Sequence, residues 1–149
     1  MDTLWFEDYD AGFSMTTARR TVAEYDILSF VTLGGFNEAL FLDVEYLKEH
    51  SSFGGRIAPG ALVFSYAEGL VIQTGYLAGS AVAFLSANMS VKGPVKVGDT
   101  IGVEVGFTEK RLTSRGDRGV VTTQNTVRNQ AGATVLEYTA SRLIRTRPA

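Results

Sequence analysis

The stretch Ala61-Leu62-Val63-Phe64-Ser65-Tyr66-Ala67-Glu68-Gly69-Leu70-Val71-Ile72-Gln73-Thr74-Gly75 decides how the rest of this chain must be arranged. It is the longest apolar segment and is apolar on most sides, the signature of a helix enclosed by other elements. Ser65, Glu68 and Gln73 interrupt it, which argues against a membrane span. Pro59-Gly60 just ahead suits a helix start, because proline lacks an N–H that would have no acceptor there.

Downstream the period changes to two. Ala81 to Val91 reads as a strand stopped by Gly93-Pro94, and Ile101, Val103, Val105 and Phe107 alternate with small or charged residues. Arg115 to Gly119 reads as a hairpin tip, and Val120 to Val127 and Val135 to Ile144 as two further strands around the turn at Asn129 to Gly132. Upstream, Met15 to Val22 has the β-branched content of a short strand. Thr21 stands in capping-box spacing to Glu24, ahead of a helix over Ala23 to Thr32 that Gly34-Gly35 ends. Asp43 to Glu49 adds one or two helical turns. This order is α+β with an antiparallel sheet. One long apolar helix followed by a meander predicts a sheet curled around the helix, the hot-dog fold, which usually pairs in dimers with sites between subunits.

A chain of 149 residues without internal repeats or linkers is expected to form a single domain over residues 1–149. A net charge of −2 offers no footprint for nucleic acid. With no cysteine, thiolate catalysis, disulfides and cysteine-held metals are excluded. The single histidine, His50, excludes a His-rich zinc site, and neither a phosphate-binding loop nor a G-x-S-x-G elbow is present. No cofactor or metal is expected. The acidic N-terminus has no basic region of a signal peptide, so a cytoplasmic location with no membrane association is expected.

The candidate site is the glycine-rich corner from Leu33 to Asp43 beside Phe53-Gly54-Gly55-Arg56-Ile57-Ala58-Pro59-Gly60. A buried helix opening at Gly60 and Ala61 presents free backbone N–H groups there, suited to a polarised carbonyl oxygen.

With those residues in view, the sequence resembles the MaoC-like dehydratase and (R)-specific enoyl-CoA hydratase family over roughly residues 13–145. The pieces that carry the resemblance are Gly34-x-x-Asn37, Asp43-x-Glu45-Tyr46, Phe53-Gly54-Gly55-Arg56-Ile57-Ala58-x-Gly60 and Gly93-Pro94-Val95-x-x-Gly98-Asp99-Thr100. The resemblance implies an acyl-CoA or acyl-carrier thioester as ligand and water added across, or removed from, the bond next to its carbonyl. It also implies a homodimer or higher oligomer, or a hetero-oligomer with an active homologue. The family's motif is Gly-Asp-x-Asn-Pro-x-His-x-Asp. Here its Asp position is Gly35 and its Pro is Glu38. Its His aligns with Leu40, or with Phe41 if the one-residue insertion is placed earlier. A second family His is Pro59. The usual acid and imidazole are missing.

The remaining candidates each carry two readings. Asn37 binds water or substrate, or satisfies turn backbone. Glu38 replaces the missing base, or is a solvated loop acid. Asp43 is a base, or the N-cap of the next helix. His50, the one side chain of its type, is a proton carrier, or is a surface residue. Gly55 and Arg56 approach a pantetheine arm or phosphate, or form a tight turn whose Arg pairs with an acid. Glu68, alone on an apolar helix, is a thioesterase-type nucleophile or base, as in some hot-dog thioesterases, or pairs with Arg142 or Arg145.

Overall fold

The computed structural model describes residues 1–149. A 3-10 turn at Phe6–Asp8 leads into β1 (Ser14–Thr16) and β2 (Arg20–Thr21). Then follow α1 (Glu24–Gly34), α2 (Ala39–Leu42), α3 (Val44–His50) and α4 (Gly60–Gln73), and last β3 (Ala81–Val91), β4 (Thr100–Leu112), β5 (Arg118–Arg128) and β6 (Thr134–Arg145). No helix is long and apolar enough to cross a membrane.

Helix α4 buries Leu62, Val63, Ala67, Leu70 and Val71. Each Leu or Val among them gains roughly 1.5–3 kcal/mol from leaving water. The sheet supplies the other half of the core with period two. Val121, Thr123, Asn125 and Val127 of β5 face inward, as do Leu136, Tyr138, Ala140, Arg142 and Ile144 of β6. The antiparallel sheet wrapped around one apolar helix is the hot-dog fold expected from the sequence.

Strand order departs from a simple meander. The sheet runs β1-β4-β5-β6-β3, antiparallel throughout, with β2 also on β4. Only β4, β5 and β6 follow one another. β3 pairs with β6, from Ala81 opposite Ile144 to Val91 opposite Leu136. Reaching β4 from there means crossing three strand spacings, about 14 Å, a distance that residues 92–99 readily cover. β3 is therefore an edge strand. It carries no charge and no proline, and Val82, Phe84, Leu85, Met89 and Val91 are all exposed on it.

Two local expectations are corrected. The strand expected over Met15 to Val22 is broken, because the Thr17 hydroxyl accepts the N–H of Val103 (3.0 Å) and takes the place of a ladder bond. The start of α1 is capped by Asp26, whose Oδ2 accepts the N–H of Ala23 at 2.8 Å; Thr21 instead shares a hydrogen bond with Thr100 (2.8 Å). The other oxygen of Asp26 accepts from Arg20 (3.0 Å) and from the Tyr66 hydroxyl (2.7 Å), so one carboxylate ties α1 to α4. At its far end α1 stops at Gly35, in the left-handed region at φ 71°, with its N–H returned to Val31.

Candidate active site

The start of α4 opens on a chamber of about 340 Å³. Phe41, Phe53, Ile57, Val91, Pro94 and Leu136 border it, with Pro59 and Gly60 at one end. An engineered apolar cavity of about 150 Å³ takes benzene, so this one has room for an acyl chain of several carbons.

The helix start is built by three features. Ala58 donates its N–H to Val95 (2.8 Å), which fixes the approach to the helix against the β3–β4 connection. The first bonds of α4 are given by Leu62 and Val63, both to the Pro59 carbonyl at 3.0 and 3.2 Å. The N–H groups of Gly60 and Ala61 thus have no acceptor in the chain, and the helix dipole adds positive potential at that end. The third feature is the lack of a side chain at Gly60, where a Cβ would lie 2.9 Å from Val91 Cγ2. Such a site favours an oxygen on which negative charge develops.

Behind the chamber, Arg56 donates from Nε to Glu24 Oε1 at 3.1 Å and from Nη1 to the Phe41 carbonyl. Its side chain is only 9% exposed. Gly55 is not in this chamber. With Gly54, Val44, Leu47, Lys48 and Ser51 it forms a neighbouring cleft of about 320 Å³.

The titratable candidates lie elsewhere. Asp43 caps α3, its Oδ1 accepting from the N–H groups of Glu45 (2.9 Å) and Tyr46 (3.0 Å). Asn37 and Glu38 are exposed, and Glu38 precedes α2 without a side-chain cap. His50 stacks on Tyr46 with ring centroids 4.5 Å apart, and is exposed. Glu68 is eight residues into α4, about 12 Å along its axis from Gly60. Arg142 Nη2 donates to both of its oxygens (2.7 and 2.6 Å), and the Tyr138 hydroxyl donates to one (2.7 Å). Burial, then the negative charge of Glu68, pushes the Tyr138 hydroxyl far above the usual tyrosine range. No Asp, Glu or His borders the chamber at Gly60. Its one charged neighbour, Lys92, stands 3.6 Å from Glu137.

Residues 11–130 match the family described as MaoC like domain. The chain belongs to that family. The MaoC protein of Klebsiella aerogenes is 35% identical over 119 residues, covering 76% of this chain and 33% of that protein. The 3-hydroxybutyryl-CoA dehydratase of Methylorubrum extorquens is 27% identical over 108 residues, covering 71% of this chain and 65% of that enzyme. This MaoC-like chain therefore spans about a third of one curated relative and just under two thirds of the other. A solved structure described as the monoamine oxidase regulatory protein from Archaeoglobus fulgius has a TM-score of 0.90 at 36% identity, over 99% of this chain and 98% of that one.

Gly35, the position that the sequence resemblance pairs with the family's acid, is the C-cap of α1. Of the two residues that can stand for the family's imidazole, Phe41 borders the chamber. Phe41 and Phe53 lie in the two stretches the sequence marked, Phe41 as one of two positions for the family's imidazole and Phe53 at the head of a framework piece. Leu136 was not singled out; its only signal was apolar character, which core residues share. Val91 and Pro94 flank or belong to the Gly93-Pro94-Val95 framework piece, the one clue that this segment meets the helix start.

Proposed function

We propose that this MaoC-like domain binds an acyl thioester, of coenzyme A or an acyl carrier, at the start of α4. The thioester oxygen lies against the N–H groups of Gly60 and Ala61, and the acyl chain lies in the chamber bordered by Phe41, Phe53 and Leu136. The observation that carries this reading is a pair of backbone donors without acceptors at the mouth of an apolar cavity.

The protein is of the hydratase and dehydratase class in framework but lacks, in its own chamber, the side chains that class uses to move a proton. The donors polarise the carbonyl and favour the enolate-like charge of water addition. Activating the water needs a base, and general acid–base catalysis contributes about 10²- to 10⁴-fold. Leucine and phenylalanine at positions 40 and 41 supply none. The chain thus acts as the binding half of a composite site, with β3 as the edge on which a second copy or an active homologue pairs.

Calorimetric titration with butyryl-CoA and crotonyl-CoA, run beside a crotonyl-CoA absorbance assay, tests the proposal. Both ligands should bind, and the purified protein should turn over crotonyl-CoA no faster than buffer. No binding refutes the pocket assignment, and rapid turnover by the isolated protein refutes the missing base.

A further inference from the structure

The strut behind the chamber points to a specificity role that the missing base does not affect. Phe41 borders the cavity from α2, a four-residue helix with no fully buried residue. A single helical turn of this kind has almost no stability of its own. Two side-chain contacts link it to α1. The Phe36 ring lies 6.3 Å from the Phe41 ring and in turn packs edge-on against Phe30 of α1, 5.6 Å away. The other contact is polar: Nη1 of Arg56 donates to the Phe41 carbonyl, while its Nε holds Glu24 of α1 at 3.1 Å.

We infer that Arg56 is a positioning residue that sets the length of acyl chain the chamber accepts, by fixing Phe41 as its wall. The inference rests on reading the chamber as an acyl-thioester site. The planar guanidinium fork reaches two acceptors at a fixed angle, which a lysine ammonium does not reproduce. Its side chain is 9% exposed, so the bond to the Phe41 carbonyl operates with little competition from water, whereas the bond to Glu24, which is 55% exposed, is open to solvent. Glu24, itself exposed, anchors the fork to the long helix α1. The short helix α2 is in this way aimed by α1 across the chain segment that joins them. Releasing the Phe41 carbonyl lets the wall withdraw, so a short chain loses its contact and a long chain gains room.

The test measures dissociation constants of butyryl-CoA and octanoyl-CoA for the wild type, Arg56→Ala, Arg56→Lys, Phe41→Ala and the double variant Arg56→Ala/Phe41→Ala, each checked for a folded circular dichroism spectrum. In Arg56→Ala the preference should move toward octanoyl-CoA by about tenfold, the factor expected when one charge-assisted hydrogen bond is lost. Arg56→Lys, which keeps charge and bulk and guards against failure of the alanine variant to fold, should move it the same way by less. Phe41→Ala should move it at least as far, and the double variant no further than Phe41→Ala. An unchanged ratio in folded Arg56→Lys and Arg56→Ala overturns the inference while leaving the pocket assignment intact, as does a double variant in which the two shifts add. Failure of the wild type to bind either ligand overturns both, and is seen before any variant is compared.

Discussion

Arg142 holds both carboxylate oxygens of Glu68, with Nη2 at 2.7 and 2.6 Å, and Tyr138 donates a third hydrogen bond at 2.7 Å. The two charged side chains are 14% and 6% exposed, so each is the other's main source of solvation. A carboxylate so occupied is poorly placed to attack a thioester, and about 12 Å of helix separates it from the Gly60 end.

Removing one member of that pair should cost far more than removing both. Arg142→Met leaves a buried, uncompensated carboxylate and should lower unfolding free energy by about 3–5 kcal/mol in urea melts. Glu68→Gln/Arg142→Met should recover most of that loss. Equal stability of the single and double variants would contradict the pairing. Glu68→Gln should leave acyl-CoA binding unchanged.

Acid should loosen the junction between α1 and α4. Partial burial pushes the Asp26 carboxyl up, but the Ala23 N–H, the Tyr66 hydroxyl and Arg20 outweigh it and hold the group below its usual 3.8. A depressed folded-state value means that the stability Asp26 contributes is present above pH 3.8 and lost as pH falls through the lower folded value. Urea melts between pH 6 and pH 2, ranges chosen at roughly the carboxylate region, should show a shallower acid-side loss for Asp26→Asn than for wild type. Parallel curves would count against the assignment.

The uncharged edge of β3 predicts self-association. Phe84 and Leu85 are 47% and 50% exposed on a strand with one free row of backbone groups, a combination that soluble monomers avoid. Sedimentation equilibrium should find a dimer. Leu85→Lys should weaken it at least about tenfold, since like charges brought together near the pairing axis repel. A monomeric wild type would remove this reading.

Restoring the two missing side chains should create activity. Gly35 lies at φ 71°, a region in which aspartate is among the better-tolerated residues, and nothing lies within 4 Å of a Cβ built there. Phe41 borders the chamber. Gly35→Asp/Phe41→His should hydrate crotonyl-CoA about 10²-fold faster than wild type, the low end of general-base catalysis. A folded double variant without gain would show that more of the site has diverged than these two residues.

Much of the fold was legible because α4 is apolar on nearly every side and β5 and β6 alternate between buried and less buried residues. The bounds of β3 follow from its flanking glycines. Its neighbour did not, because alternation reports which face a residue takes and not which strand lies beside it. The cap at Asp26 was hidden by a better-looking spacing at Thr21 and Glu24, two residues too early. The partner of Glu68 could be narrowed to two arginines. Alternation on β6 then puts Arg142 on the inner face with Tyr138 and Ala140, and leaves Arg145 outside. The choice between Leu40 and Phe41 depended on the single turn of α2, whose existence no periodicity in four residues announces.

A crystal structure with butyryl-CoA bound tests the central claim most directly. The account predicts the thioester oxygen about 2.7–3.2 Å from the backbone nitrogens of Gly60 and Ala61, the acyl chain against Phe41 and Leu136, and no carboxylate or imidazole of the same chain within hydrogen-bond reach of the α and β carbons. A thioester bound instead beside Glu68 and Arg142, or one met at its β carbon by Glu38 or Asp43, would contradict it.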